Sequence, residues 1–143
     1  GRPVDVARAF DMQIARAQEL LLIDSGNFRA RLQLVCAMRG RAGSLLAQGK
    51  AEDAVRAAEG ALAEARRSVP MAPASGRAKR ALALAVETRL EAGGLRPEER
   101  RQLLEVATDA VIGTRSAEEW LPADRELMGR LAAKAEGADQ RAN

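Results

Sequence analysis

Histidine is absent from this sequence. Its absence removes the general base normally poised near neutral pH and the commonest metal ligand. Tyrosine is absent too, and aromatic residues make up only 2% of the chain. The core must therefore be aliphatic, and an aromatic platform for stacking bases is not expected. With one cysteine, Cys36, the chain can form neither an internal disulfide nor a cysteine-cluster metal site, and nothing points to an oxidising compartment. Lying in an apolar helical run, Cys36 is expected to be a small buried hydrophobe. The most apolar run, "ELLLI" at 19–23, is far shorter than the roughly 18 residues of a membrane span. The first residues show no charged segment followed by an apolar one, so no secretory leader is expected and the expected location is cytoplasmic.

What is present favours helices. Hydrophobic residues make up 47% and charged residues 30%, a soluble balance within which Ala, Leu, Arg and Glu rank high in helix propensity. The net charge is +3, unevenly spread: residues 1–50 carry 8 basic and 4 acidic side chains, whereas residues 97–143 carry 7 and 10. Of the 23 basic residues, 20 are Arg. That skew suits bidentate recognition of carboxylates or phosphates. A genomic base composition that also raises Ala accounts for it equally.

Helical punctuation divides the chain into six predicted helices, 3–23, 27–48, 51–68, 76–92, 97–114 and 118–136. Residues 1–138 form one domain and 139–143 a solvated, disordered tail. Pro3 and Asp5 suit a first turn, and Val6, Phe10, Ile14, Ala17 and Leu21 share one apolar face. "DSGN" at 24–27 is a turn, with Asn27 placed to cap the second helix. Phe28, Leu32, Val35, Met38, Ala42 and Leu45 make the second stripe, ending at Gly49. Glu52 and Asp53 open the third helix, and "SVPMAPASG" at 68–76 breaks the chain, with a serine to cap the fourth. Ala78, Ala81, Leu82, Val86 and Leu90 form the fourth face, stopped by Gly93 and Gly94. Pro97, Glu98 and Glu99 start the fifth, which carries Leu103, Leu104, Ala107 and Val111. "SAEE" at 116–119 has the capping-box pattern, with Pro122 the competing first residue of the sixth helix.

The segments repeat. "AEDAVRAAEGALAEA" at 51–65 aligns with "PEERRQLLEVATDAV" at 97–111, 46 residues on, and with "DVARAFDMQIARAQE" at 5–19, 46 residues back. Ala15, Ala61 and Ala107 share one position of this frame. The preceding helices correspond as well, "LLAQG" at 45–49 with "RLEAG" at 89–93. A hairpin cannot cover its own apolar face, so neighbours stack, and small side chains let helix axes approach closely. Ala54, Ala58 and Ala61 are the expected close-approach positions, with Leu45, Leu46 and Leu62 supplying bulk. The expected fold is all-α, a right-handed α-solenoid of helix-turn-helix hairpins, with an irregular helical bundle as the alternative.

At these residues the chain resembles the tetratricopeptide repeat family. Gly49 stands in the turn, "AEDA" with Ala54 opens the second helix, Ala61 and Leu62 stand where that family has "AL", and Pro70 ends the unit. The second unit keeps Gly93 or Gly94, Glu98, Glu99 and Ala107, but has Arg100 in place of the alanine. The period here is about 44–46, against the family's 34. Its aromatic positions are Leu45 and Ala58, and its first-helix glycine is Ala42. The resemblance covers roughly residues 4–114. It implies a protein–protein interaction module of a larger bacterial signalling or regulatory protein, with a peptide or partner helix held by the first helix of each pair. Some members clamp a C-terminal carboxylate; only Arg39 falls where a clamp cation would sit.

No catalytic, cofactor or metal site is expected. Every Ser and Thr lies in a turn or on a helical surface with no histidine to activate it. "EAGGLRPEE" lacks both a flanking strand and the spacing of a phosphate loop. The acidic pairs Glu52/Asp53, Glu98/Glu99 and Glu118/Glu119 each open a helix and suit its dipole. The candidate partner contacts are Arg31, Arg39, Arg77 and Arg89, with Trp120 either a lid over the fifth helix or a contact residue. Self-association through Ala/Leu faces at the array ends is a second reading. Nucleic-acid binding through "RAKR" (77–80), Arg66/Arg67 and Arg39/Arg41 is a third, opposed by interleaved acids and scarce aromatics.

Overall fold

The computed structural model describes residues 3–113 and 121–142. Six helices follow in order: α1 Pro3–Ile23, α2 Phe28–Ala47, α3 Ala51–Met71, α4 Gly76–Ala92, α5 Pro97–Ile112 and α6 Pro122–Ala142. No strand occurs among the described residues. No described helix is long and apolar enough to cross a membrane. The 116–119 capping pattern and Trp120 lie outside the described residues.

The turns follow from side-chain and glycine chemistry. Asn27, in an extended conformation, accepts a hydrogen bond from the Ala30 N–H at 3.0 Å and so satisfies an orphan donor of α2. Ser75 does the same for Ala78 at 3.3 Å at the head of α4. α2 ends in a Schellman motif. Gly49, at φ +76, donates to the Leu46 carbonyl, and Lys50 donates to that of Leu45, both at 3.0 Å. At α5, Pro97 occupies the first turn, where its missing N–H costs nothing.

Two boundaries differ from expectation. α3 continues through Pro70 to Met71 instead of ending at 68. Pro70 forfeits only its own backbone bond, and the buried Ser68 hydroxyl donates to the Ala65 carbonyl at 2.7 Å within the same turn. α6 is described from Pro122, the competing start, and is helical to Ala142, past the expected end at 136; the start at 118 lies outside the described residues.

Each helix packs on its chain neighbours, and α4 also packs on α2 and α6. No substantial packing joins α1 to α5 or α6 among the described residues. One apolar cluster runs from Val35 of α2 through Leu62 and Ala65 to α4, α5 and Leu127 and Leu131 of α6. A second joins Ala42 and Leu45 to Ala54, Ala57 and Ala58. Ala54, Ala58 and Ala61 have no exposed surface, and Ala54 and Ala58 pack with Ala42 and Leu45 of α2. Burial of Val35, Val86, Val111, Leu127 and Leu131 is worth roughly 1.5–3 kcal/mol each, far more than any alanine supplies.

Two expected core positions, Leu46 and Cys36, are corrected, and one repeat position differs among its copies. Leu46 is exposed, because the Schellman turn directs α2's last turn so that only Leu45 faces α3. Ala15 is exposed while Ala61 and Ala107 are fully buried, since α1 has a helix neighbour on one side only. Cys36 is exposed, because α1, α3 and α4 occupy the other faces of α2.

Candidate partner-binding surface

α4 packs on both α2 and α6. The seams between them are crossed by polar side chains. Between α2 and α4, Arg39 Nε donates to Thr88 Oγ1 at 3.1 Å, and that hydroxyl donates to the Leu84 carbonyl at 3.0 Å. Burial pulls the Arg39 guanidinium below its ordinary value, against the opposing fields of Cys36, Glu87 and Glu91. Between α4 and α6, the buried Glu87 carboxylate accepts from Arg130 Nε at 2.6 Å and Nη2 at 3.1 Å. Lys134 approaches the same carboxylate at 3.6 Å. The hydrogen bonds from Arg130 raise its own value further. A second fork joins Arg80 to Asp124, at 2.7 and 3.0 Å, and Asp124 also accepts from the Leu121 N–H at 3.1 Å. Asp124 is 1% exposed, so its charge is compensated within the fold.

The arginines singled out from the sequence do not converge. Arg31 faces α3, where it pairs with Glu64 at 2.6 Å and donates to the Ser25 carbonyl at 3.0 Å. Its Nε is buried without a partner. Arg89 is buried at the end of α4, donating to the Gly93 carbonyl at 2.6 Å and lying 3.5 Å from Glu59. It works as a C-terminal cap there. Arg39 is held in the α2–α4 seam. Arg77 alone of the four is exposed, at the head of α4.

Arg77 borders a surface groove. This groove encloses about 810 Å³ between α1 and α2, with Ala17 and Ala30 buried at its base and Leu20, Phe28 and Leu32 along it. Arg16, Arg29 and Arg77 rim it, and no carboxylate is among the described residues that line it. Those three arginines form no hydrogen bond or ion pair among the described residues. A smaller groove of about 450 Å³ opens where α1, α2 and α3 meet, but there Arg31 and Glu64 neutralise each other. No group of three or more His, Cys, Asp or Glu side chains able to hold a metal ion occurs among the described residues.

Sequence reasoning missed Arg16 and Arg29 as groove residues, and missed the two buried carboxylates. The partners of Asp124 and Glu87 stand 44 and 43 residues away, out of reach of any local pattern. The repeat offset of about 44–46 was the available signal, since both forks join positions nearly one period apart. Compared with known proteins, the chain matches no family model, no curated protein and no solved structure.

Proposed function

We propose that the chain is a divergent tetratricopeptide-like array, a right-handed α-solenoid, that works as a non-enzymatic protein–protein interaction module. In this reading α2, α4 and α6 are the first helices of successive hairpins and form one wall, with α3 and α5 behind it. The partner is a peptide or helix held on that wall, and the module serves a larger bacterial signalling or regulatory protein in the cytoplasm. The supporting observation is the packing order: sequence neighbours pair, and beyond them α4 alone reaches across, to α2 and α6. Stacked hairpins have this nearest-neighbour pattern, whereas a bundle closed around one core brings its first and last helices together.

A peptide-display selection against the whole chain tests the reading, with hydrogen exchange locating any peptide obtained. Protection is expected on α1, α2, α4 and α6. Failure to select any saturable binder, or protection confined to the outward sides of α3 and α5, would sink it. Self-association is a second reading, favoured by Met12, Leu22 and Ile23 of α1, which are 69%, 87% and 84% exposed. A mass that doubles with concentration in light scattering would support it.

A further inference from the structure

We propose that the groove between α1 and α2 is the seat of an acidic amphipathic helix supplied by a partner protein. This rests on the interaction-module reading and names the class of partner. Two independent features carry it.

The first is the packing order. α2 packs on α3 beside it and on α4 one hairpin later. A helix placed one hairpin earlier than α2 would pack on α1 and α2 in the same two ways. No described element of this chain covers that seat. The groove found there is about 810 Å³, with a floor of Leu20, Phe28 and Leu32 suited to the apolar stripe of a helix.

The second is charge. Elsewhere five arginines at helix seams are engaged, Arg31 with Glu64, Arg39 with Thr88, Arg80 with Asp124, Arg89 with the Gly93 carbonyl and Arg130 with Glu87, while Arg100 of α5 has a buried Nε without a partner. Around this groove Arg16, Arg29 and Arg77 are exposed and unengaged among the described residues, and no carboxylate is among the described residues that line it. A guanidinium fork binds carboxylates bidentately, so an occupant with an apolar stripe flanked by Glu or Asp satisfies floor and rim together. Nucleic acid would engage the rim but leave the apolar floor uncovered. A second copy of this chain is the competing occupant, and it would show as Cys36 protection that rises with protein concentration alone.

Cys36 lines the same groove and is exposed, so its alkylation reports occupancy. The probe is a fluorescein-labelled synthetic peptide with leucines at i, i+4 and i+7 of a helix and glutamates on the remaining face. Its lysine counterpart and a mixed-sequence DNA duplex are the controls. The glutamate peptide is expected to bind saturably to the whole chain and to slow maleimide alkylation of Cys36 about ten-fold at saturation. The triple variant R16E/R29E/R77E changes only exposed side chains, and circular dichroism checks that it stays helical. It is expected to lose about ten-fold or more in affinity for the glutamate peptide and to gain the lysine peptide.

Equal binding of both peptides by the unmodified chain would overturn the proposal. So would no binding of the glutamate peptide at low salt, or protection of Cys36 by DNA or by raised protein concentration alone. Binding that leaves Cys36 alkylation and the triple variant unchanged overturns the groove assignment, while display-selected peptides protecting α4 and α6 would keep the broader module reading. If the display selection itself yields nothing, the module reading fails first.

Discussion

Phe10 and Gly40 set how closely α1 lies on α2. A Cβ built on Gly40 would overlap the Cε1, Cζ and Cδ1 atoms of the Phe10 ring. Glycine in mid-helix costs roughly 0.5–1 kcal/mol relative to alanine, so Gly40→Ala gains propensity. It also overpacks the interface, a cost of about 1–3 kcal/mol. α1 is held from one side and can shift slightly, which puts the net at about 1 kcal/mol of destabilisation, read from the urea midpoint. Phe10→Leu removes the outer ring atoms, so in that background Gly40→Ala should be neutral or stabilising. An additive double variant would show that the ring is not the obstacle. The alanines of α3 were legible as close-approach positions because three segments share one frame. Gly40 was not, because its role depends on a ring thirty positions earlier on another helix. Cys36 was misplaced for a related reason: an apolar neighbourhood in sequence does not say which face of α2 remains uncovered.

The turns were the most legible elements, since each is set by residues within one helical turn of it. Asn27, Gly49 and Pro97 carry their chemistry locally, whereas the continuation of α3 through Pro70 was not foreseen, since a proline reads as a stop. At the head of α5, Glu99 accepts from the Arg96 backbone N–H at 3.3 Å and from Arg96 Nε at 2.7 Å. The Arg96 side chain, then its backbone N–H, hold this carboxyl below its ordinary value of 4.5. A depressed folded value means that the contribution is present above the unfolded value and fades as pH falls through the folded one. The stability difference between the native chain and Glu99→Gln, measured by urea unfolding, should therefore be larger at pH 7 than at pH 3. An equal difference at both pH values would show that the charge of Glu99 is not what closes this turn. Asp53 at the head of α3 is depressed in the same direction by Arg56.

Across the whole molecule, stability should follow the number of neighbours each helix has. α4 packs on four other helices and buries seven of its residues, including Val86 and the paired Glu87. Among the described residues α1 packs substantially only on α2 and leaves Met12, Leu22 and Ile23 in solvent. In a chain of stacked hairpins the ends open at lower free energy than the middle, because each unit is held only by its neighbours. The sequence showed six helices and a period but not this gradient, since every helix has an apolar stripe and none announces which neighbour will cover it. Native-state hydrogen exchange should show α1 amides exchanging through local opening well below the global unfolding free energy, with α4 amides the last to exchange. Asp124→Asn weakens the α4–α6 fork and should lower protection in α6 while leaving α2 and α3 unchanged. Uniform loss of protection in all six helices would instead mean one closed cooperative bundle. The first helices would then not form a separate wall, and a partner would have to bind elsewhere.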